Sequence, residues 1–232
     1  RTGGKAYGYD EGASGNMRTV IITGGNIERD FALSFLKQWH PSCLLAVDGG
    51  LAFCYENRLR PDCIIGDFDS VDPEVIRWYR GQGEIPIREY NPVKDATDTC
   101  IALDYALEQG SSEIAILGGT GTRLDHVLCN IQILKRAYVK GVSAFLLDPH
   151  NRISLPVGKA FTIRKEEQYG SYVSFFPLGE EVEGLTLEGF KYPLDHYRLR
   201  NLEGLGVSNE ITADTAHVSW ETGILVMIQS RD

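Results

Sequence analysis

The sequence lacks the long apolar segments by which a protein enters or crosses a membrane. No apolar run approaches the roughly 20 residues that a transmembrane helix needs, and no basic segment followed by a hydrophobic one opens the chain. We therefore expect no membrane partner. The first sixteen residues, RTGGKAYGYDEGASGN, are rich in glycine and aperiodic; we interpret residues 1–16 as an expression leader and exclude them from the fold argument.

The sequence also lacks closely spaced pairs of cysteines. The chain has five cysteines, an odd number, and none of them forms a CxxC pair of the kind that zinc and redox sites use. All of them precede residue 130: Cys43, Cys54, Cys63, Cys100 and Cys129. This pattern predicts reduced, mostly buried thiols in a cytoplasmic protein.

Positive charge is scarce. The chain carries 23 Lys and Arg against 32 Asp and Glu, which gives a formal net charge of −9. Since phosphate-backbone affinity depends on clustered Lys and Arg, the composition argues against a nucleic-acid partner. No GxxxxGK[ST] segment follows a strand, so a Walker-type nucleotide site is excluded as well. An anionic ligand would need local cations or a bound metal.

What the sequence does contain is an alternation of short apolar runs and helical patterns between residues 17 and 150. The runs VII, CLLAV, CIIG, EIPI, EIAIL and SAFLL alternate with predicted helices near 29–39, 73–80, 97–109 and 124–138. This order is typical of βαβ units and predicts an α/β domain with a mostly parallel sheet flanked by helices. From about Asn151 to 232, brief β-like runs between Gly, Pro and Asn turns predict a second, all-β sandwich domain.

The clearest predicted helix is the last one. Its large apolar residues follow the i, i+3, i+4, i+7 spacing of an amphipathic helix, which predicts the face that packs on the sheet. The residues of this expected face are Leu124, Val127, Leu128, Ile131, Leu134 and Tyr138.

Acidic residues follow several of the predicted strands. Asp48 follows the LLAV run, Asp67 and Asp69 follow CII, and Asp95 and Asp98 stand where the third helix starts. Because the carboxyl ends of parallel strands meet at one rim, these side chains could converge. Two carboxylates 4 Å apart repel by about 4 kcal/mol at an effective dielectric constant near 20, and a divalent cation reverses that sign. Oxygen ligands without nearby His or Cys favour Mg²⁺.

Each acid also has an ordinary structural interpretation. Asp72 before Pro73 fits a helix N-cap, Asp98 after Thr97 fits a first-turn acid, and Asp48 before two glycines could close a turn. For any one of them alone the structural interpretation is favoured, whereas their joint placement favours a metal site.

A glycine-rich segment supplies a candidate phosphate loop. In ILGGTGTRLDHVLCN, Gly118, Gly119 and Gly121 allow close approach of backbone N–H groups to an anion at a helix N-terminus, and Arg123 can form a forked contact with phosphate oxygens. A tight connection is the alternative for the glycines, and first-turn dipole partners are the alternative for Asp125 and His126.

Five motifs together resemble those of the thiamine pyrophosphokinase family. They are DGG at 48–50, GDFDS at 66–70, KDATD at 94–98, GGTGTRLDH at 118–126 and SNE at 208–210, in the family's order and approximate spacing over nearly all of 17–232. The resemblance implies transfer of a pyrophosphoryl group from ATP to the hydroxyl of thiamine, which yields thiamine diphosphate and AMP. It also implies a magnesium-dependent homodimer that holds thiamine at the subunit interface.

The resemblance places functional roles on particular residues. It implies metal ligands at Asp48, Asp67, Asp69 and Asp98. From the chemistry of phosphoryl transfer we expect Arg123 to offset charge on the leaving group, and we name Asp98 or Asp69 as candidate proton acceptor. The alternative is that a primary alcohol attacking a metal-activated phosphate needs little help from a base. Expected contacts to the nucleotide or its phosphates are Lys94, Asp95, Thr97, Gly118, Gly119, Arg123, Asp125 and His126. Lys94 departs from the Gln that animal members carry, and the TGT insertion lengthens the glycine loop.

In the C-terminal domain the resemblance favours Ser208 and Asn209 as thiamine contacts supplied by the partner subunit. Trp220 is a hypothesis for the stacking aromatic. The alternatives are an ordinary turn for the first two residues and a core or edge aromatic for Trp220.

Two other functions fit the acidic cluster. A magnesium-dependent phosphoesterase would use similar aspartates with water as the nucleophile, and a non-catalytic nucleotide-binding module would bind ATP without turnover. The order of the motifs along the whole chain weighs against both.

Overall fold

The structure is a computed structural model, and it describes residues 16–69, 71–90 and 96–232. The expected leader lies outside these residues apart from Asn16, as do Lys94 and Asp95. None of the described helices has the length and apolarity that crossing a bilayer requires.

The first half of the described chain alternates strands and helices. Its elements are β1 (Arg18–Ile22), α1 (Arg29–Trp39), β2 (Cys43–Val47), α2 (Gly50–Glu56), β3 (Cys63–Gly66), α3 (Pro73–Gln82), β4 (Ile87–Glu89), α4 (Asp98–Glu108), β5 (Glu113–Leu117), α5 (Leu124–Val139) and β6 (Ser143–Leu147). The second half is almost entirely β: β7 (Asn151–Ser154), β8 (Ala160–Arg164), a 3₁₀ turn (Lys165–Glu167), β9 (Tyr172–Pro177), β10 (Glu181–Glu188), β11 (Leu194–Arg200), β12 (Thr215–Ser219) and β13 (Leu225–Ser230).

The strands of the first half form a parallel sheet that the second half extends. The order is β4-β3-β2-β1-β5-β6-β7-β13-β9, with parallel pairing as far as β6 and antiparallel pairing from β7 onward. Helices cover both faces of the parallel part, as βαβ crossovers require. The sheet therefore continues across the boundary that the sequence predicted at Asn151.

The remaining strands form a second sheet in the order β11-β10-β12-β8. One core joins this sheet to the far end of the large one, because Val173 and Phe175 of β9 and Leu225 of β13 pack with Val182 of β10 and Val218 of β12. This arrangement confirms the predicted fold class. One layer of the sandwich is the far end of the large sheet, and the other layer is the second sheet. The two halves of the chain are therefore joined by continuous backbone pairing.

Two local elements differ from the sequence-based expectation. The helix α2 was not predicted, because Gly49 and Gly50 suggested a turn and no side chain caps the helix. The strand β4 begins at Ile87 and not at Glu84, since Pro86 has no N–H for the ladder; its carbonyl still accepts a hydrogen bond from the N–H of Ile64 at 2.9 Å.

The predicted buried face of α5 was right in the second half of the helix, where Leu134 is buried and Ile131 and Tyr138 pack against the core, and wrong at its start. Leu124 and Leu128 are 80% and 59% exposed. The buried residues of this helix are Asn130, Ile133, Leu134 and Ala137. The polar Asn130 and the small Ala137 also lie on the buried face, so a period taken from large apolar residues alone did not include them.

Helix starts follow the predicted capping. Asp72 accepts a hydrogen bond from the N–H of Glu74 at 2.8 Å with Pro73 at the first helical position. Thr97 accepts one from the N–H of Cys100 at 3.3 Å and caps α4. These caps place Asp98 in the first turn of α4, at the carboxyl-end rim of the sheet.

Candidate active site

A cavity of about 400 Å³ opens at the carboxyl ends of β1, β2 and β5. Its walls are the loops after these strands and the first turns of α4 and α5. This is the rim at which open parallel sheets bind ligands, because the loops that follow neighbouring strands converge there.

Three carboxylates meet at this rim. Asp48, Asp67 and Asp98 are each half-buried, and each offers an oxygen within 4.8 Å of the oxygens of the other two. They come from three separate segments of the chain: the end of β2, the end of β3 and the start of α4. Carboxylates this close repel one another unless a proton or a cation lies between them.

Backbone geometry holds the first two carboxylates together. Asp48 has the left-handed φ of 44°, which is unusual for a residue other than glycine. Its Oδ1 accepts a hydrogen bond from the N–H of Asp67 at 3.2 Å. Gly66 permits this approach, since a Cβ at that position would lie 1.9 Å from the same oxygen.

The environment of Asp48 disfavours its charged form. Burial, then a hydrogen bond with Asp98, then the charges of Asp98 and Asp67 raise the pKa of Asp48 from 3.8 to about 7. A hydrogen bond from the backbone of Phe68 acts in the opposite direction and is weaker. The site therefore retains a proton near neutral pH that a cation would displace.

Asp69 lies outside this cluster. Phe68 between the two aspartates is buried in the core. Asp69 is exposed, and its N–H donates to Oδ1 of Asp67 at 3.2 Å. The backbone of Asp69 thus helps to orient Asp67, while its own carboxylate is not part of the three-carboxylate group.

The glycine loop after β5 closes the opposite wall. Gly118 has a φ of +78°, and a Cβ there would lie 2.4 Å from the carbonyl oxygen of Thr23. Only glycine allows the loops after β1 and β5 to pass this closely. Asn130 of α5 donates from Nδ2 to the carbonyl of Gly119 at 2.9 Å and is buried, so it fixes the loop against the helix.

Arg123 stands at the mouth of the cavity just before α5. Its guanidinium forms a fork with Asp125, with Nε–Oδ1 at 3.2 Å and Nη2–Oδ2 at 2.6 Å. This contact, together with the N–H of His126, lowers the pKa of Asp125 to about 2. Both side chains of the pair are well exposed, and such pairs contribute little to stability. Arg123 is therefore free to exchange this partner for a bound anion.

Thr97, His126 and Asp98 line the same cavity. Lys94 and Asp95 lie outside the described residues. Three of the described N-terminal candidates, Asp67, Asp69 and Asp125, do not line the cavity. Asp67 is nevertheless part of the carboxylate group with Asp48 and Asp98, both of which do line it.

Some residues of the cavity were not predicted. Thr23 bonds to Thr99 through their hydroxyl oxygens at 2.9 Å and ties the end of β1 to α4. Gly24 and Gly25 follow the carboxyl end of β1, as the acids follow the ends of β2 and β3. Their position after a strand could therefore have predicted that they line the cavity. Asn130 gave no such signal, because it lies within a helix.

The three-carboxylate group suits a hard divalent cation. It supplies oxygen ligands only, which Mg²⁺ prefers over softer donors, and the pocket beside it leaves room for water and phosphate oxygens. Burial and the neighbouring carboxylates raise the pKa of Asp48, and a bound cation would act in the opposite direction.

The C-terminal candidates lie elsewhere. Among the described residues, those that line the cavity all precede residue 131. Ser208 is exposed in a turn with the left-handed φ of 55°. Asn209 is buried, and its side chain makes three hydrogen bonds to the backbone of Tyr192 and Glu210.

Trp220 belongs to the core of the sandwich. It is 2% exposed, contacts the ring of Phe161 edge-on at 6.1 Å, and donates from Nε1 to the carbonyl of Gly223 at 3.3 Å. With no exposed ring face, it cannot stack on a substrate in this structure. The core alternative therefore describes Trp220, and we leave it out of the site.

Two family models match the chain. A model described as "Thiamin pyrophosphokinase, catalytic domain" matches residues 35–146, and one described as "Thiamin pyrophosphokinase, vitamin B1 binding domain" matches residues 160–225. Thiamine pyrophosphokinase of Bacillus subtilis (strain 168) is 36% identical over 218 residues, which cover 93% of this chain and 100% of that protein. Thiamine pyrophosphokinase 1 of Oryza sativa subsp. japonica is 28% identical, with 75% of this chain and 68% of the relative covered.

Solved structures agree with these matches. The crystal structure of thiamine pyrophosphokinase from Bacillus subtilis superposes with a TM-score of 0.82 at 32% identity, over 93% of this chain and 99% of that chain. The crystal structure of thiamin pyrophosphokinase from Geobacillus thermodenitrificans superposes with a TM-score of 0.79 at 31% identity, over 93% of this chain and 98% of that chain. Yeast thiamin pyrophosphokinase, at 17% identity, shares the fold with a TM-score of 0.75 over 94% and 87%.

Proposed function

Because the chain belongs to the thiamine pyrophosphokinase family, we propose that its reaction takes place in the cavity at the carboxyl ends of β1, β2 and β5. The protein transfers a pyrophosphoryl group from ATP to thiamine. The hydroxyl oxygen of thiamine forms a bond to the β-phosphorus, the bond from that phosphorus to the oxygen bridging to the α-phosphorus breaks, and AMP leaves. The hydroxyl proton is released, so atoms and charge balance.

The observation that carries this placement is the group formed by Asp48, Asp67 and Asp98. Their oxygens lie within 4.8 Å of one another beside a glycine loop at a helix N-terminus. These three residues would hold Mg²⁺. When bound, the metal supplies positive charge that orients phosphate oxygens and neutralises their charge.

The phosphate side of the cavity belongs to the glycine loop and Arg123. The N–H groups at the start of α5 and the fixed backbone of Gly118 and Gly119 present donors to an anion. Arg123 offsets the charge on the departing AMP once it leaves Asp125 for the phosphate. Thr97, Asp125 and His126 complete the proposed nucleotide side, together with Lys94 and Asp95 from the sequence-based expectation.

Asp69 is our proposed proton acceptor. Its carboxylate is exposed two residues from Asp67 and does not belong to the metal group, so a metal ion held there would not occupy it. In an Asp69→Asn variant we expect kcat to fall by about a hundredfold with KM for ATP little changed. An unchanged kcat would show that the proton passes directly to solvent.

Two features support a homodimer with shared sites. No described residue of the C-terminal half lines the cavity, so the thiamine side is open within one chain. Leu124 and Leu128, one helical turn apart, expose their side chains directly beside Arg123. Apolar side chains in such a position are typical of an interface. We propose that the partner subunit covers this face and brings its Ser208 to thiamine, while Asn209 fixes the backbone that carries Ser208.

Complementation tests the shared site. Asp98→Asn and Ser208→Ala should each lose most activity, and refolding the two variants together should restore up to about a quarter of the wild-type rate, since half of the random dimers carry one complete site. Sedimentation measurements verify that heterodimers form. If heterodimers form without any recovery, each site lies within one chain.

The function itself is tested by AMP release from ATP and Mg²⁺ with and without thiamine. A pyrophosphokinase releases AMP only with thiamine present. A phosphoesterase would release phosphate or pyrophosphate without it, and a nucleotide-binding module would release nothing.

We also propose a cytoplasmic location, with the five cysteines as its support. All five are unpaired. Burial raises the pKa of Cys43 to about 11 and that of Cys54 to about 12, so these thiols resist oxidation. Fractionation of cells followed by immunoblotting tests this proposal.

A further inference from the structure

A second cavity, of about 430 Å³, lies between α1 and the strands β6 and β7. Among the charged residues that line it are three arginines, Arg18, Arg152 and Arg231, and one carboxylate, Glu113. The local formal charge is therefore +2 in a chain whose net charge is −9.

This cavity is separate from the candidate active site. Arg18 and Glu113 are the first residues of β1 and β5, whereas Thr23 follows the last residue of β1 at the other rim. The five residues of β1 span roughly 16 Å at about 3.3 Å per residue. No described residue lines both cavities.

Aromatic rings hold all three guanidinium groups. The distances from each Cζ to the ring centroid are 5.5 Å for Arg18 on Trp39, 4.3 Å for Arg152 on Phe145 and 4.8 Å for Arg231 on Tyr169. Stacking of this kind occupies the face of a guanidinium and leaves the N–H groups on its edge available to an acceptor. The arginines are thus oriented without using the hydrogen bonds that an anion would need.

Arg152 is the least satisfied of the three. Within the described ranges its guanidinium makes no hydrogen bond and no ion pair, and its buried Nε has no hydrogen-bond partner. Burial lowers the pKa of its guanidinium, against the opposing influence of Glu113 and Tyr169. Buried charged groups are normally paired, so the unused donors of this guanidinium can accommodate a hydrogen-bond acceptor.

The other two arginines are only partly engaged. Arg18 donates from Nη1 to the carbonyl of Trp39 at 3.1 Å, and its Nε lies 3.3 Å from Glu113 in a geometry that does not make a hydrogen bond. Arg231 donates from Nε to the carbonyl of Pro149 at 2.8 Å. Each of these guanidinium groups therefore retains N–H donors that are available to a bound anion.

We propose that this cavity is a binding site for a phosphate-bearing small molecule, with Arg152 at its centre and Arg18 and Arg231 at its sides. Forked guanidinium donors match the tetrahedral oxygens of phosphate, and several of them in one cavity select a multiply charged anion over chloride. The site is independent of the reaction assigned to the carboxyl-end cavity.

The probe for the test is inorganic pyrophosphate, titrated calorimetrically into the full-length protein at low ionic strength without divalent cations. The Arg152→Met variant removes the charge and donors but keeps an unbranched side chain of similar length. Arg231→Met is the second variant, at an exposed position where loss of the fold is not expected. Arg77→Met, an exposed arginine of α3 outside this cavity, is the matched control.

We expect Arg152→Met and Arg231→Met each to weaken one class of pyrophosphate binding by about tenfold or more, with Arg77→Met unchanged. Arg123→Ala should leave that class intact, which separates it from binding at the active-site loop. Arg152→Lys should recover part of the affinity, because lysine retains charge but not the fork.

Parallel titrations with inorganic phosphate and with AMP identify the source of the phosphate group. Weaker binding of phosphate or of AMP in Arg152→Met and Arg231→Met supports the proposed site. If phosphate binds more tightly than AMP, the ligand is a free phosphate, and if AMP binds more tightly, it is a nucleotide. Isotherms of Arg152→Met and Arg231→Met that superpose on wild type for every anion would overturn the proposal. Melting curves verify that each variant is folded.

Discussion

The two ends of the parallel sheet collect opposite charges by different means. At the carboxyl ends, Asp48, Asp67 and Asp98 meet because backbone turns and the close approach at Gly66 bring them together. On the side where β1 and β5 begin, Arg152 and its neighbours are positioned by the aromatic rings beneath them. The short carboxylates depend on the backbone, whereas the long guanidinium side chains depend on side-chain packing.

Both ends hold groups whose charged forms are penalised by burial. Burial and neighbouring carboxylates raise the pKa of Asp48, and burial lowers the pKa of Arg152. In each case the environment penalises a charge that a ligand of opposite sign would compensate. The comparison suggests that an accumulation of like charge in a fold marks a ligand site at either end of a sheet.

The largest expected effect comes from removing a carboxylate of the metal group. Asp67→Asn should lower thiamine-dependent AMP formation by at least about a hundredfold, because an amide oxygen lacks the charge that a divalent cation requires. Steady-state AMP release measures the loss. Asp195→Asn, a fully exposed aspartate on β11, is the control and should be as active as wild type. Comparable activity in both variants would remove the metal group from the mechanism.

A smaller loss is expected at Arg123. Arg123→Ala should reduce kcat by roughly ten- to a hundredfold through lost stabilisation of the charge on AMP, and Arg123→Lys should recover only part of it. Separate measurement of kcat and KM for ATP distinguishes this role from simple binding. Full recovery by lysine would show that charge alone matters at this position.

Stability should respond to pH through Asp48. Its pKa in the folded protein, about 7, is above the usual 3.8, so its contribution to stability is present below pH 3.8 and is lost as the pH rises through 7. Without Mg²⁺, Asp48→Asn should therefore melt a few degrees higher than wild type at pH 8, with a smaller difference at pH 5. Differential scanning calorimetry at the two pH values measures this change.

An equal difference at both pH values would show that Asp48 is not the titrating group. Mg²⁺ provides a further control at pH 8. It should raise the melting temperature of wild type and have little effect on the variant, which lacks one ligand.

The smallest effect concerns the arginine cavity. Glu113 supplies a carboxylate beside Arg18, so Glu113→Gln should raise the affinity for pyrophosphate by about two- to fivefold through lost repulsion, an effect of the size typical of single partly exposed charges. Calorimetric titration measures it. Glu188→Gln, exposed at the end of β10, is the control. Unchanged or weaker binding in Glu113→Gln would place the anion away from β5.

Local sequence rules predicted much of the fold. Period-two and buried runs located the strands, and Asp72 and Thr97 capped helices as their types and neighbours indicated. The rules failed where packing decided the outcome. Leu124 and Leu128 had the spacing of a buried face but are exposed, whereas the polar Asn130 is buried and donates to the carbonyl of Gly119.

The sequence by itself determined the parallel α/β order, the strand-end position of the acids and the glycine loop, because periodicity, turn chemistry and motif spacing are local properties. Tertiary structure alone decided that Asp98 joins Asp48 and Asp67 while Asp69 does not, since Phe68 must enter the core between them. It also decided that Arg18, Arg152 and Arg231 share one cavity. These residues are far apart in the chain, and only the pairing of β1, β5, β6, β7 and β13 in one sheet brings them together.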